Sequence, residues 1–193
     1  MRKKKPLPLT FDPVSHEYKS DGRIIPGVTS ILVAAGIADL HHARESALYR
    51  GSEVHKCIAR IERGSDPGVT PAEYVPYVVG WMKFKRDTGY RSRFVEYPVF
   101  HRQYFYAGTL DTFGEMDHPR CSALVDIKTG SCAWWTGIQL AAYETPLRIF
   151  ISQGNGKFTA KIVRFAVQLP GDGSYKLHEY IDATDFNVFL AAL

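Results

Sequence analysis

Apolar and polar positions divide the chain into a β-rich opening, a helical middle and a second half dominated by strands. Residues 9–12, 16–19 and 23–26 alternate, with a turn at Asp21-Gly22, and predict a β-hairpin unit. Thr29 or Ser30 can cap a short helix that closes at Gly36. Over residues 39–63 the apolar positions recur at helical spacing, with Leu48, Val54, Ile58 and Ile61 expected on the buried face. Gly51 can bend that helix and Gly64 ends it. Thr70-Pro71-Ala72-Glu73 has the form of a capping box with proline in the first turn, so a helix is expected over residues 70–88, stopped by Gly89.

The period then changes from helical to alternating. Residues 93–100, 104–116 and 122–128 predict three strands, the last two joined by the turn Asp117-His118-Pro119-Arg120. Residues 134–151 are helical, with Pro146 expected to kink or split them. Two more strands are expected over 158–169 and 175–181, then a short helix over 184–193 capped by Thr184 or Asp185. This order predicts one α/β domain over residues 1–193: a central mixed sheet flanked by helices, preceded by a hairpin and helices. The regular strand–helix rhythm of a doubly wound fold is absent, as are a Gly-x-Gly-x-x-Gly turn and a P-loop, so nothing supports nucleotide binding.

Composition changes this picture little. Hydrophobic residues make up 45% and charged residues 23%, as in a soluble globular protein. A net charge of +4 is compatible with a polyanionic partner without requiring one. The three cysteines, Cys57, Cys121 and Cys132, form no disulfide framework and cannot give four thiolates to an iron–sulfur cluster. The basic residues 2–5 have no apolar segment behind them, so a flexible tail over residues 1–8 is expected rather than a secretory signal. No run of eighteen apolar residues marks a membrane span, and a cytoplasmic location is the expectation.

The chemistry gathers around Gly108-Thr109-Leu110-Asp111 and Val125-Asp126-Ile127-Lys128-Thr129-Gly130. Asp126 and Lys128 are two apart on a strand and share a face, while Asp111 stands on the neighbouring strand. Carboxylates brought together repel unless a cation or proton intervenes, and oxygen-rich ligands suit Mg²⁺ or Mn²⁺. The Ile127 carbonyl lies between the two side chains as a further oxygen. An Asp-x-Lys pair alone is also what a solvated surface ion pair looks like. Here Ala123-Leu124-Val125 precedes it, so Asp126 ends a strand expected to be buried, where a charge needs a partner.

Together with Gln139-Leu140-Ala141-Ala142-Tyr143, these segments resemble the PD-(D/E)XK nuclease superfamily, and within it the RecB-like and phage exonuclease branch. The resemblance spans roughly residues 11–145. Its other carriers are Gly51 to His55, Glu96 within Val95-Glu96-Tyr97-Pro98-Val99, and the segment from His16 to Leu32. The proline that precedes the first aspartate in the superfamily is replaced here by Leu110. The resemblance implies a restriction-endonuclease-like core. It implies catalytic Asp111, Asp126, Lys128, Gln139 and Tyr143, with metal ligands His55, Asp111, Asp126, the Ile127 carbonyl and Glu96. It further implies Mg²⁺ or Mn²⁺ as cofactor and DNA, single-stranded or duplex with ends, as substrate; the three cysteines argue against the branch members that hold an iron–sulfur cluster. A recombination or replication protein would be its partner, and the host cytoplasm its location if phage-encoded. The expected activity is that of a metal-dependent deoxyribonuclease, an exonuclease of recombination, repair or replication. A structure-specific endonuclease and a DNA-binding module without turnover are the alternatives.

Several of these residues have plainer roles open to them. His55 can be a core histidine bonded to a carbonyl, and Gln139 and Tyr143 can be the packing face of a helix. Trp134 and Trp135 can stack on unpaired bases or pack at a helix start. Arg44, Arg50, Thr129, Lys83, Lys85 and Arg86 can contact DNA or face solvent. His41-His42, adjacent on a helix, do not share a face and are not expected to form a metal pair.

Overall fold

Alternation at the two ends of the chain builds two separate sheets in the computed structural model, which describes residues 9–12, 15, 17–39, 44–65, 70–154 and 161–193. The basic tail, His16, the His41-His42 pair and residues 158–160 of an expected strand lie outside these. Strands β1 (Leu9–Asp12), β2 (Glu17–Ser20) and β3 (Arg23–Ile25) form a three-stranded antiparallel sheet. Asp21 and Gly22 take φ of 49° and 74°, the left-handed pair that a two-residue hairpin turn needs.

Three helices follow: α1 (Val28–Ala34), α2 (Glu45–Glu62) and α3 (Val75–Thr88). Then come β4 (Arg91–His101), β5 (Tyr106–Asp117), β6 (Arg120–Lys128), α4 (Thr136–Ser152), β7 (Ile162–Gln168), β8 (Lys176–Tyr180) and α5 (Asp185–Ala192). The second sheet has the order β4-β5-β6-β7-β8. Strands β6 and β7, joined through α4, are parallel, and the other pairs are antiparallel, so the sheet is mixed. Helices cover both faces. Leu124 of β6 packs with Ile31, Leu32, Leu140 and Leu147, while its neighbour Val125 packs with Val54, Ile58, Trp81 and Phe84. Burial on both faces accounts for the unbroken apolar run before Asp126.

Several local expectations yield to packing. Helix α3 begins at Val75, not Thr70, after a turn in which Tyr74 N donates to the Pro71 carbonyl at 2.8 Å. Tyr74 is buried, and its packing outweighs the capping box of Thr70 and Glu73. Helix α1 starts after Gly27, a cap residue with no side chain to offer, so Thr29 falls inside the helix, where its hydroxyl accepts from Gln139. Leu48, expected inside, is 54% exposed, whereas Val54 and Ile58 are buried as expected. Gly51 does not interrupt α2, nor does Pro146 split α4, which starts at Thr136 rather than Trp134. Among the described residues no helix is long and apolar enough to cross a membrane.

Because Leu124 is wholly buried on a central strand, Leu124→Ala is expected to lower unfolding free energy by about 3 kcal/mol in urea titration. A loss below about 1 kcal/mol would contradict its close packing.

Candidate functional site

The β5–β6 ladder runs from Asp117↔Arg120 to Thr112↔Val125 and stops one residue short of Asp111 and Asp126. There the Ile127 N–H donates to Asp111 Oδ2 at 2.7 Å. A side chain thus takes the place of a backbone acceptor, and the two strands part. On its other edge β6 stays paired with β7 as far as Lys128↔Gln168. The resulting notch at the end of β6 is where the predicted residues meet.

Strand β4 contributes through a change of phase. Phe94 and Tyr97 both pack against the α4-side core, as do Leu110 and Phe113, although strand residues three apart ordinarily face opposite ways. Between them stand Glu96 and Asp111, opposite one another by the flanking pairs Val95↔Thr112 and Tyr97↔Leu110. Glu96 absorbs the change with a φ of 47°, a left-handed conformation costing about 1 kcal/mol or more outside glycine.

Helix α2 brings His55 to the same place. Its Nε2 lies 2.8 Å from the Ile127 carbonyl, to which it donates. Its Nδ1 lies 3.5 Å from Asp111 Oδ1 and 3.8 Å from Glu96 Oε1. Burial opposes charge on the imidazole, but the carboxylates of Asp111 and Glu96 outweigh it and hold the His55 pKa well above its ordinary value. Burial likewise opposes charge on Asp111, and the His55 imidazolium with Lys128 and the Ile127 N–H turns the balance, lowering its pKa.

His55, Glu96 and Asp111 can each offer one ligand atom, all within 4.8 Å of one another. One imidazole nitrogen and two carboxylates fit a Mn²⁺- or Mg²⁺-type ion. This set differs from the expected one. The Ile127 carbonyl orients the imidazole through Nε2, and Asp126 is bound to Lys128, whose Nζ lies 3.1 and 2.8 Å from its two oxygens. Burial pushes the Asp126 carboxyl up against the pull of Lys128. Burial also opposes charge on Lys128, yet Asp126 and Asp111 overcome it and raise the pKa. The Lys128 ammonium stands 5.7 Å from the centre of the Trp135 ring, within cation–π range.

On α4, Gln139 and Tyr143 lie one turn apart and are both buried. The Gln139 amide donates to Thr29 Oγ1 at 3.0 Å, and the same Thr29 side chain lies close enough to the Tyr143 phenol to act against the rise of its pKa. Burial, with Asp126 and Asp111 nearby, pushes the Tyr143 phenol far up, so the hydroxyl stays neutral. A Cβ on Gly108 would sit 2.4 Å from Tyr143 Cε1, so only glycine there admits the ring. Tyr143 thus stands near Asp126 and Asp111, whereas Gln139 is held to Thr29 rather than to Lys128.

The expected DNA contacts divide. Arg44 is exposed at the start of α2, and Trp134 is 70% exposed. Arg50 stacks 5.9 Å above Tyr77, and Trp135 lies beneath Lys128. Thr129 faces α2, its Oγ1 3.6 Å from where a Cβ on Gly51 would stand. On α3, Lys85 is paired with Glu62 and Arg86 with Asp87, while Lys83 is exposed. Two contributors went unrecognised in sequence: Thr29, which reads as a helix cap, and Gly108, whose need appears only against the Tyr143 ring.

No family model matches the chain, and no curated protein matches it.

Because a metal must displace the proton that Asp111 and Glu96 hold on His55, Mn²⁺ affinity is expected to fall as pH drops below the raised His55 pKa. Calorimetry at pH 7 in buffers of different ionisation enthalpy should register proton release on Mn²⁺ binding, lost in His55→Ala. Buffer-independent heats would count against His55 as a ligand.

Proposed function

We propose that this protein is a divalent-metal-dependent deoxyribonuclease of the PD-(D/E)XK type, RecB-like in its motif set, and that it acts on DNA ends as an exonuclease. The carrying observation is the convergence at the end of β6, where Asp111 reaches both His55 and the Ile127 N–H beside the Asp126–Lys128 pair. The mixed sheet with helices on both faces agrees with a restriction-endonuclease-like core.

His55, Glu96 and Asp111 would hold Mg²⁺ or Mn²⁺, with Asp126 alongside. Such an ion, when bound, neutralises phosphate charge and acidifies a water. The remaining chemistry belongs to the chain. Lys128, held protonated by Asp126 and Asp111, donates to the attacking water or to a phosphate oxygen that gains charge at the transition state. Asp126 fixes where that ammonium stands. The buried, neutral Tyr143 phenol stands near both aspartates and helps shield them from solvent. Cys57 and Cys121 are buried and Cys132 partly so, all three as thiols, and no iron–sulfur role is proposed for them.

Labelled linear DNA with Mg²⁺ or Mn²⁺ is expected to be degraded by the wild type. Lys128→Ala and Asp126→Ala should each lower kcat by roughly 100-fold or more, as loss of a group that stabilises developing charge does. Covalently closed circles should survive if the enzyme needs ends; their cleavage would make it an endonuclease. Metal-dependent DNA binding without hydrolysis under any condition would leave a binding module and overturn the enzymatic proposal.

A further inference from the structure

Two side chains on the lysine face, Gln168 and His178, form a chain of hydrogen bonds that the proposed mechanism does not use. Gln168 is the β7 partner of Lys128 across the parallel ladder, so the two side chains share a face. The Gln168 amide nitrogen donates to the Gly130 carbonyl at 3.0 Å. Its amide oxygen stands 3.0 Å from His178 Nε2, which must donate there, since an amide oxygen only accepts. His178 pairs with Ala166 across the β7–β8 ladder and so lies on the same face. The row Lys128, Gln168, His178 therefore crosses three strands and ends on the loop that follows Lys128.

That loop joins the two halves of the site. Its first residue, Thr129, abuts α2 at Gly51, its hydroxyl oxygen at ordinary contact distance, 3.6 Å, from where a Cβ on that glycine would stand. Gly51 is one helical turn before His55, and i, i+4 positions share a helix face. Helix α2 thus sets the metal half, β6 sets the lysine half, and the loop after Lys128 touches both. Leu169 N holds the Lys128 carbonyl at 2.7 Å, while the loop's next described side-chain tie is Gln168 to Gly130.

We infer that Gln168, steadied by His178, is a positioning residue that holds the Thr129–Gly130 loop against α2 and so fixes the distance between Lys128 and the His55 side of the cleft. This rests on the nuclease proposal for its catalytic consequence, not for the anchoring itself. Gln168 acts through Gly130, so its loss misplaces Lys128 without removing a ligand or a charge. Positioning partners of this kind typically cost 10- to 100-fold in activity when removed.

The experiment has two readouts. Hydrogen–deuterium exchange of the full chain tests the anchor: Gln168→Leu should speed exchange over residues 129–135 and leave β5 protected. Unchanged exchange there overturns the inference whether or not the protein cleaves DNA. In the cleavage assay with Mn²⁺, Gln168→Leu and His178→Leu should each lower kcat, by about tenfold for the former, with KM and Mn²⁺ affinity within about twofold of wild type. His178→Gln, which keeps a donor, should restore most of the activity. The double variant should be no worse than Gln168→Leu alone, since both act through one chain of bonds. Activity of Gln168→Leu within about twofold of wild type, or additive losses in the double variant, overturns the inference while the nuclease proposal stands. If Gln168→Leu fails to fold, the His178→Leu and His178→Gln pair decides through exchange of the same loop. Absence of cleavage in the wild type overturns the nuclease proposal alone, because the exchange experiment still reads the anchor.

Discussion

The Asp111 carboxylate accepts the Ile127 N–H at the point where the β5–β6 ladder would otherwise supply a backbone carbonyl. An unpaired buried N–H costs free energy comparable to a lost hydrogen bond, so the strands can part only if something satisfies it. Asp111 does so with one oxygen and turns the other to His55. The parting of the strands, the seat of the imidazole and the exposure of the sheet's end to a ligand all follow from that one substitution of a side chain for a backbone group. The left-handed Glu96 opposite Asp111 belongs to the same arrangement, because the change of phase in β4 puts its carboxylate on the imidazole side.

Charge balance constrains the rest. Asp111, Asp126, Glu96, His55 and Lys128 lie close together, and isolated buried charges of this kind are costly. The cations are interleaved with the anions: His55 stands between Asp111 and Glu96, and Lys128 sits on Asp126. Each raised or lowered pKa has the sign that this pairing gives, except Asp126, where burial wins. A site that already balances anions with a displaceable proton on His55 is suited to exchanging that proton for a metal.

The elements were legible where one local signal was strong and the environment agreed with it. The Asp21-Gly22 turn, the apolar approach to Asp126, and Gly89 as the stop of α3 followed from residue type and spacing. The shared face of Asp126 and Lys128 needed only the two-residue repeat of a strand. The failures have a common form. Thr70 and Glu73 offered a capping box, yet burial of Tyr74 moved the helix start. Thr29 offered a cap, yet it falls inside the helix and its hydroxyl accepts from Gln139. Leu48 had the spacing of a buried residue, yet among the described residues it is 54% exposed.

By itself the sequence determined the order of elements, the mixed sheet with helices on both sides, and the short segments on which the ionisable residues stand. Such features depend on periodicity and turn chemistry within a few residues. Which of those ionisable groups become partners was decided only in three dimensions. His55, Glu96 and Asp111 are separated by 41 and 15 positions, and it is the register of β4 on β5 and the packing of α2 on β6 that bring them within 4.8 Å. The division of labour between Asp111 and Asp126 was decided there too, because it depends on where a hydrogen-bond ladder stops and which cation lies nearer, and neither is a property of local sequence.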